Sequence, residues 1–245
     1  MTVLILGGTG EARDLARQLT SGDRRVVSSL AGRVRDPALP QGDVRVGGFG
    51  GADGMARWLR EHRVDAVVDA THPFAQQISE NATVAAWITG VPLVVLRRPP
   101  WEPRSDDRWS IVPDITAAAS AVSERGDIRV FLTTGRRDLA VFADNDRAWF
   151  LIRVVDPPDV VLPRHSRVIR DRGPYRLPDE RRLLIDNRID VLVTKNSGGT
   201  LTEAKLDAAR ELGVPVIMVA RPDGPSGVPQ VATVDAAVEW LDTVG

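Results

Sequence analysis

The sequence has 245 residues, of which 43% are apolar and 27% are charged, so its composition is that of a globular protein rather than a disordered chain. Its net charge of −1 gives no support to general nucleic-acid binding, and the absence of cysteine excludes disulfides and thiolate metal sites. Histidine is scarce, no apolar run is long enough to cross a membrane and no basic leader precedes the first apolar run, so we expect a cytoplasmic protein that holds no metal ion.

Short apolar runs alternate with helical patterns through the first part of the chain. Apolar runs predict strands at residues 3–6, 26–30, 66–69 and 92–96, and apolar side chains at helical spacing predict helices at 11–19, 53–62 and 74–89. This alternation indicates a mostly parallel sheet that is covered by helices. A proline-rich segment at 97–103 then interrupts the pattern, because proline continues neither a helix nor a central strand.

The alternation resumes after this segment. Helices are predicted at 115–124, 139–143, 180–187, 200–212 and 236–241, and strands at 129–132, 149–155, 191–193 and 215–219. Because the two halves are alike, we predict two domains, at residues 1–113 and 114–245. The segments 156–178 and 221–229 match neither pattern and are predicted to be irregular.

A glycine-rich turn lies between the first strand and the first helix. Gly7-Gly8-Thr9-Gly10 occupies the position where backbone N–H groups and a helix N-terminus receive a phosphate. The match to Gly-x-Gly-x-x-Gly is partial, since Arg13 stands at the third glycine position counted from Gly8. A tight turn that binds no ligand is the alternative interpretation.

The end of the second strand favours NADP(H) over NAD(H). NAD sites usually carry an acidic residue about 20 residues after the glycines, whereas this strand ends in Ser28-Ser29-Leu30 and is followed by Arg33. Hydroxyls and a guanidinium suit a 2′-phosphate that a carboxylate would repel. The alternative is that Arg33 is one more solvated cation, because all but Lys195 and Lys205 of the 32 Lys and Arg residues are Arg.

Other loops follow predicted strands and carry further candidates. The glycines of 47–51 allow the backbone to approach a flat ligand, and His72 in 69–75 is placed either to donate to a ligand or to cap the next helix. In the second half, 133–137 and 194–199 place cations at strand ends. With the arginines of 164–176, they indicate a ligand that bears several carboxylates or phosphates.

Several segments occur in an order that matches one known family: LILGGTGEARDLA, SSLAGRV, GGFGG, DATHPFA, RPPW, TTGRRDL, RVVDPP, RGPY and TKNSGGTLTEAKLDAARELG. From about residue 3 to residue 222, the chain resembles the precorrin-6A reductase family of cobalamin biosynthesis.

The resemblance implies an α/β fold with two Rossmann-like doubly wound parallel-sheet domains that exchange their last strands. It assigns NADPH to 1–113 and a tetrapyrrole polycarboxylate to 114–245. It also implies NADPH-dependent reduction of a ring double bond in precorrin-6A, with hydride going to C19 and a proton to C18. The product is precorrin-6B, and its hand-off to the next pathway enzyme is part of this expectation.

The same resemblance assigns roles to individual residues. The residues expected to bind NADPH are Gly8, Thr9, Glu11, Ala12, Ser29, Leu30, Gly32, Arg33, Gly48 and Phe49. Thr71 and His72 are expected to be catalytic, where nicotinamide meets substrate. The residues expected to anchor the substrate are Arg98, Arg136, Arg153, Arg172, Lys195, Asn196, Ser197 and Lys205.

Two other functions stay open on sequence grounds. One is another NADP-linked Rossmann reductase or epimerase that acts on an anionic substrate. Such short-chain enzymes usually need a Tyr-x-x-x-Lys pair, whereas the one tyrosine, Tyr175, is followed by Asp179 at the lysine position. The other is a non-catalytic module that senses NADP and regulates a partner.

Overall fold

The computed structural model describes residues 1–32 and 39–245 and divides into two compact units. The first unit consists of Met1–Pro99 together with Pro222–Gly245, and the second unit consists of Pro100–Arg221. The predicted residue Arg33 lies outside the described residues.

The first unit contains a six-stranded sheet with helices between its strands. Its strands are β1 (Thr2–Leu6), β2 (Arg25–Leu30), β3 (Asp43–Val46), β4 (Ala66–Asp69), β5 (Leu93–Leu96) and β12 (Gln230–Val231). Its helices are α1 (Gly10–Thr20), α2 (Gly51–Glu61), α3 (Gln76–Thr89) and α7 (Val234–Val244). The strand order is β3-β2-β1-β4-β5-β12, and every pairing in the sheet is parallel.

The second unit contains a sheet of the same design. Its strands are β6 (Trp109–Val112), β7 (Arg129–Leu132), β8 (Trp149–Val154), β9 (Ser166–Arg170), β10 (Val191–Lys195) and β11 (Val216–Val219). Its helices are α4 (Ile115–Ser123), α5 (Leu177–Asp186), α6 (Ala204–Glu211) and a short 3-10 helix (Leu139–Phe142). The order is β9-β8-β7-β10-β11-β6, and all pairings are again parallel.

Each sheet takes its sixth strand from the opposite half of the sequence. β6 lies within 1–113 but pairs with β11, whereas β12 lies near the C-terminus but pairs with β5. The exchange of last strands that the resemblance implies is therefore confirmed. The structure places the unit boundaries at residues 99 and 221 rather than at 113, because these two pairings carry the flanking segments with them.

The first sheet is buried on both faces, as expected for parallel strands between helices. Val3 and Ile5 point to the face that α1 and α7 cover, whereas Leu4 and Leu6 point to the face that α2 and α3 cover. Leu241 of α7 is fully buried in the same core as Val3. The C-terminal helix is therefore an integral part of the first unit.

Most predicted elements agree with the structure, and the strands predicted at 66–69 and 129–132 have the predicted bounds. The prediction that 156–178 is irregular is wrong in part, because β9 lies inside it and pairs with β8, and α5 begins at Leu177. β9 is a half-exposed edge strand that carries two arginines, so it lacks the apolar run by which the other strands are recognised. No helix in the described part of the chain is long and apolar enough to cross a membrane.

Candidate functional site

The glycine loop lies beside the ends of β2 and β4, because parallel strands bring their carboxyl ends to the same edge of the sheet. The Gly7 N–H donates to the Ser29 carbonyl at 2.9 Å, and the Ala70 N–H donates to the Leu6 carbonyl at 2.9 Å. The buried Thr9 hydroxyl donates to the Ala70 carbonyl at 2.7 Å and accepts from the Ala12 N–H at 3.1 Å, which caps α1. Thr9 therefore stabilises the conformation of the loop through two hydrogen bonds of its side chain.

Gly8 leaves open space at the start of α1. Its φ of 114° is strained for any residue with a side chain, and, apart from its chain neighbours, no described residue has an atom within 4 Å of where a Cβ would stand. Beneath the loop, Leu30 and Ala12 lie against Gly7, and both side chains are buried. These two predicted residues can therefore contact a ligand only through their backbone atoms.

Arg45, which the sequence analysis did not single out, lies where the ends of β2 and β3 meet. Arg45 of β3 is paired in register with Ser29 of β2, and its Nη1 donates to the Ser29 hydroxyl at 2.8 Å. Its guanidinium also lies 3.7 Å from the centroid of the Phe49 ring. The signal that could have found Arg45 is its place directly before the glycine segment 47–51, on the strand beside β2.

The other predicted residues of this region have separate positions. Gly32 has a φ of 69°, and a Cβ there would lie 2.9 Å from the Val46 side chain. Gly48 is exposed, and its carbonyl accepts from Arg45 at 3.1 Å. Phe49 packs edge-on against Trp58 at 5.6 Å, so it supports Arg45 from below.

The end of β4 carries a buried carboxylate. Asp69 is 1% exposed, and its Oδ1 accepts from the Thr71 backbone N–H at 3.1 Å and from the Thr71 hydroxyl at 2.6 Å. Its Oδ2 is buried and accepts no hydrogen bond from any residue that the structure describes. Burial lowers the pKa of the neighbouring Arg97, and the negative charges of Asp223 and Asp69 oppose that shift.

His72, the predicted catalytic histidine, lies on the exposed side of this turn. Its Nδ1 lies 3.3 Å from the Phe74 backbone N–H, which donates to it. The neutral ring therefore carries its hydrogen on Nε2. His72 and Thr71 are brought together beside the glycine loop because β4 lies next to β1 in the sheet.

Arg98 and Glu11, which the resemblance assigns to different ligands, form an ion pair with each other. Nη1 of Arg98, expected to anchor substrate, lies 2.7 Å from a carboxylate oxygen of Glu11, expected to bind cofactor. Both side chains are largely buried. A substrate carboxylate at Arg98 would have to share the guanidinium with Glu11.

In the second unit, the carboxyl ends of β7 and β10 adjoin because these strands pair. Arg136 is half-buried in the loop after β7, and Lys195 ends β10, where it forms an ion pair with Asp138. Ser197 follows in the next turn, where its N–H donates to the Lys195 carbonyl at 2.7 Å. These cations are thus grouped at one edge of the sheet.

Asn196 has a structural partner at this edge. Its side-chain amide accepts from the Trp101 backbone N–H at 2.8 Å and donates to the Trp101 carbonyl at 2.9 Å. The indole N–H of Trp101 donates to the Gly199 carbonyl at 2.9 Å. Asn196 therefore fixes the proline-rich segment to the loop after β10. Arg172, by contrast, is exposed in the segment after β9.

Two residues that are expected to anchor the substrate, Arg153 and Lys205, are buried inside the second unit. Arg153 is 5% exposed, forms a two-point ion pair with Glu180 and stacks 3.6 Å from the centroid of the Tyr175 ring. Lys205 is 3% exposed, donates to the Thr202 carbonyl at 2.7 Å and lies 4.5 Å from the Trp101 ring centroid. Both side chains therefore have hydrogen-bond partners within the second unit.

Tyr175 does not form the site of a short-chain reductase. Burial raises the pKa of its phenol, and its hydroxyl donates to the Asp171 carbonyl at 3.1 Å. Among the residues that the structure describes, no group of three His, Asp or Glu side chains could hold a metal ion.

The first unit fits a dinucleotide in two respects. Gly8 leaves room at a helix N-terminus, and the Arg45 guanidinium forms no ion pair with a carboxylate of the described residues. The order β3-β2-β1-β4-β5-β12 is the Rossmann strand order, with β12 in the place of the sixth strand. Together with a glycine turn after the first strand, it defines the Rossmann class, whose members bind dinucleotides at the carboxyl ends of their strands.

Comparison with known proteins narrows this class to one family. The model of the Precorrin-6x reductase CbiJ/CobK family matches residues 2–242. A precorrin-6A reductase of Rhodococcus erythropolis is 56% identical over 243 residues, which cover 99% of this chain and 98% of the relative. A precorrin-6A reductase of Mycobacterium tuberculosis is 55% identical over 240 residues, which cover 98% of this chain and 96% of the relative. The solved structure of CobK precorrin-6A reductase matches with a TM-score of 0.94 and 41% identity, and covers 100% of this chain and 97% of that chain.

The chain therefore belongs to the precorrin-6x reductase family and is a reductase of cobalamin biosynthesis. The family, the enzyme class and the two-domain α/β fold that the sequence motifs predicted are confirmed.

The burial of Arg153 gives a prediction that separates a structural role from substrate binding. Glu180→Ala should lower the free energy of unfolding by about 3–5 kcal/mol, because it leaves the Arg153 guanidinium buried without its partner. The double variant R153M/E180L replaces both charges by apolar groups and should recover most of that loss. Denaturant unfolding measures both values.

The double variant also tests the assignment to substrate. Its KM for the tetrapyrrole should stay within about threefold of the wild-type value. Loss of about 1.4 kcal/mol of substrate binding energy would raise the KM about tenfold. A stable double variant whose KM rises more than about tenfold would support Arg153 as a substrate anchor.

Proposed function

We propose that the chain reduces precorrin-6A with NADPH, by addition of hydride to C19 and of a proton to C18 of the macrocycle, and so forms precorrin-6B. The observation that carries the proposal is the open space at Gly8, in a loop tied to the ends of β2 and β4, in a chain that matches this reductase family over residues 2–242. The proposal includes a cytoplasmic reaction and hand-off of the product to the enzyme that next consumes it.

The first unit is the proposed NADPH-binding domain. When bound, NADPH supplies the hydride, and the protein supplies binding, orientation and electrostatics. The start of α1 and the backbone around Gly8 would hold the pyrophosphate, because helix N-termini direct unpaired N–H groups at anions. Ser29 and Gly48 lie at the ends of the strands that neighbour this loop, where the ribose and adenine of a dinucleotide bind in Rossmann domains.

The second unit is the proposed tetrapyrrole-binding domain. Arg136 and Lys195 are the best-placed anchors, because both lie at the carboxyl edge of the sheet and neither is buried in the core. Asp138 holds Lys195 in place, and a substrate carboxylate would take over or share that ion pair. Each charge-assisted contact contributes about 1.5–3 kcal/mol when it is shielded from water.

Asp69 fixes the chemical role of Thr71. The Thr71 hydroxyl hydrogen points to Oδ1 of Asp69 at 2.6 Å, so the Thr71 oxygen can offer only lone pairs to a ligand. Thr71 is thus an acceptor for a ligand N–H or O–H, and it is not the source of the proton that C18 receives. Because Asp69 acts through Thr71, it is a positioning residue.

His72 is proposed to position the substrate rather than to act as the general acid. Its Nδ1 accepts the Phe74 N–H, and this bond is lost if Nδ1 takes up a proton. The neutral ring still presents Nε2–H as a hydrogen-bond donor. Water or a substrate carboxyl is then left to deliver the proton.

An anaerobic titration tests the proposed reaction. Protein, NADPH and precorrin-6A are mixed, and the absorbance of the nicotinamide and of the tetrapyrrole is followed together. We expect both signals to change in parallel, with one NADPH consumed per macrocycle. Binding of NADPH with an unchanged tetrapyrrole spectrum would contradict precorrin-6A as the substrate. Absence of NADPH binding would contradict the assignment of the first unit.

The role of His72 is tested by a substitution. His72→Ala should lower kcat less than about tenfold, because only a positioning contact is removed, whereas general acid–base catalysis contributes about 10²–10⁴-fold. Single-turnover rates of NADPH oxidation measure the effect. His165→Ala, which changes an exposed histidine of the second unit, serves as the matched control. A loss of about a hundredfold or more at His72 alone would show that the ring donates the proton.

A further inference from the structure

Arg45 is held rigidly without being neutralised. Its Nη1 donates to the Ser29 hydroxyl at 2.8 Å and to the Gly47 carbonyl at 2.9 Å, and its Nη2 donates to the Gly48 carbonyl at 3.1 Å. All three acceptors are uncharged. No Asp or Glu in the described part of the chain forms an ion pair with Arg45, whereas Arg25 at the other end of β2 lies 3.3 Å from a carboxylate oxygen of Asp43.

The guanidinium also keeps hydrogen-bond capacity for a ligand. Its Nε–H and one Nη2–H have no acceptor among the described residues, and a guanidinium offers its N–H groups in a planar fork that matches phosphate oxygens. The Phe49 ring, 3.7 Å away, and the Trp58 ring, 5.6 Å away, support one side of the group. Burial lowers the pKa of Arg45 without discharging it at neutral pH.

The position of Arg45 in the sheet indicates which part of a dinucleotide it meets. It is the register partner of Ser29, at the carboxyl end of the strand next to β1. In Rossmann domains the residue at this strand end recognises the 2′ position of the adenosine ribose, with an acid for a free hydroxyl and an arginine for a 2′-phosphate. β2 ends in Ser28-Ser29-Leu30, with no acid.

We infer that Arg45 binds the 2′-phosphate of the dinucleotide and sets the preference of the protein for NADPH over NADH. The inference rests on the proposed function, which supplies the nicotinamide cofactor. Ser29 and the carbonyls of Gly47 and Gly48 orient the fork, and the phosphate receives Nε–H and the remaining Nη2–H.

A purely structural role for Arg45 makes a different prediction. If the guanidinium only joined β2 to the glycine segment, its loss would weaken binding of phosphorylated and unphosphorylated dinucleotides by the same factor. If it binds the 2′-phosphate, its loss would weaken only the phosphorylated ones. The ratio of the two affinities therefore separates the roles.

Calorimetric binding to the full chain provides this ratio. Kd is measured for NADP⁺, for NAD⁺ and for 2′,5′-ADP with the wild type, Arg45→Gln, Arg45→Lys and the control Arg25→Gln. Arg25 begins the same strand at its amino end, is mostly exposed and pairs with Asp43. Thermal unfolding of each variant shows whether it is folded.

We expect Arg45→Gln to weaken NADP⁺ and 2′,5′-ADP by about 10- to 150-fold, as one charge-assisted contact predicts, and to change NAD⁺ less than about threefold. Arg45→Lys should keep part of the preference because it keeps the charge. Equal weakening of NADP⁺ and NAD⁺, or an unchanged ratio, overturns the inference. A wild type that binds neither dinucleotide, or binds both equally, contradicts NADPH as the cofactor and so the proposed function itself.

Discussion

Every strand pairing in both sheets is parallel, and this constraint decides where chemistry can occur in each unit. Parallel strands deliver all their carboxyl ends to one edge, so loops far apart in sequence come together there. The hydrogen bonds from Gly7 to Ser29 and from Ala70 to Leu6 fix three such ends relative to one another. The glycine loop, the Asp69 turn and the Arg45 fork are consequences of that arrangement.

Many polar side chains of the family motifs stabilise the fold through hydrogen bonds and ion pairs within the protein. Asn196 binds the backbone of Trp101, Thr9 caps α1, and Arg153 and Glu180 neutralise each other in the interior. Such groups are costly to bury unless they are fully paired, so their partners are as important as the groups themselves. Several polar residues of the family motifs therefore have partners within the protein itself.

The sequence predicted the local order of the fold well. The strands at 66–69 and 129–132 are covered on both faces, so most of their residues are apolar and the run is easily recognised in the sequence. β12 has two residues and β6 is half-exposed, so neither has such a run. Their exchange between sheets depends on long-range pairing, which no local pattern contains, and only the resemblance implied it.

The candidate site could be predicted only in outline. The glycine loop and the absence of an acid after β2 are visible in the chain, and they point to a phosphorylated dinucleotide. Arg45 was not singled out, because almost all cations of the chain are arginine and its place before the glycine segment 47–51 gains meaning only once β3 is known to pair with β2. The resemblance assigns Arg153 to the substrate, and no local pattern shows that β8 carries its side chain into the core.

In the proposed reaction, hydride passes directly from the nicotinamide to the macrocycle, and the protein acts through position and charge. The most direct test is the reaction of precorrin-6A with NADPH that is dideuterated at nicotinamide C4, followed by mass spectrometry and NMR of the product. Direct transfer should place one deuterium in each product molecule, at C19, with the C18 hydrogen taken from a proton pool that exchanges with water. A product without deuterium at C19 would contradict direct transfer.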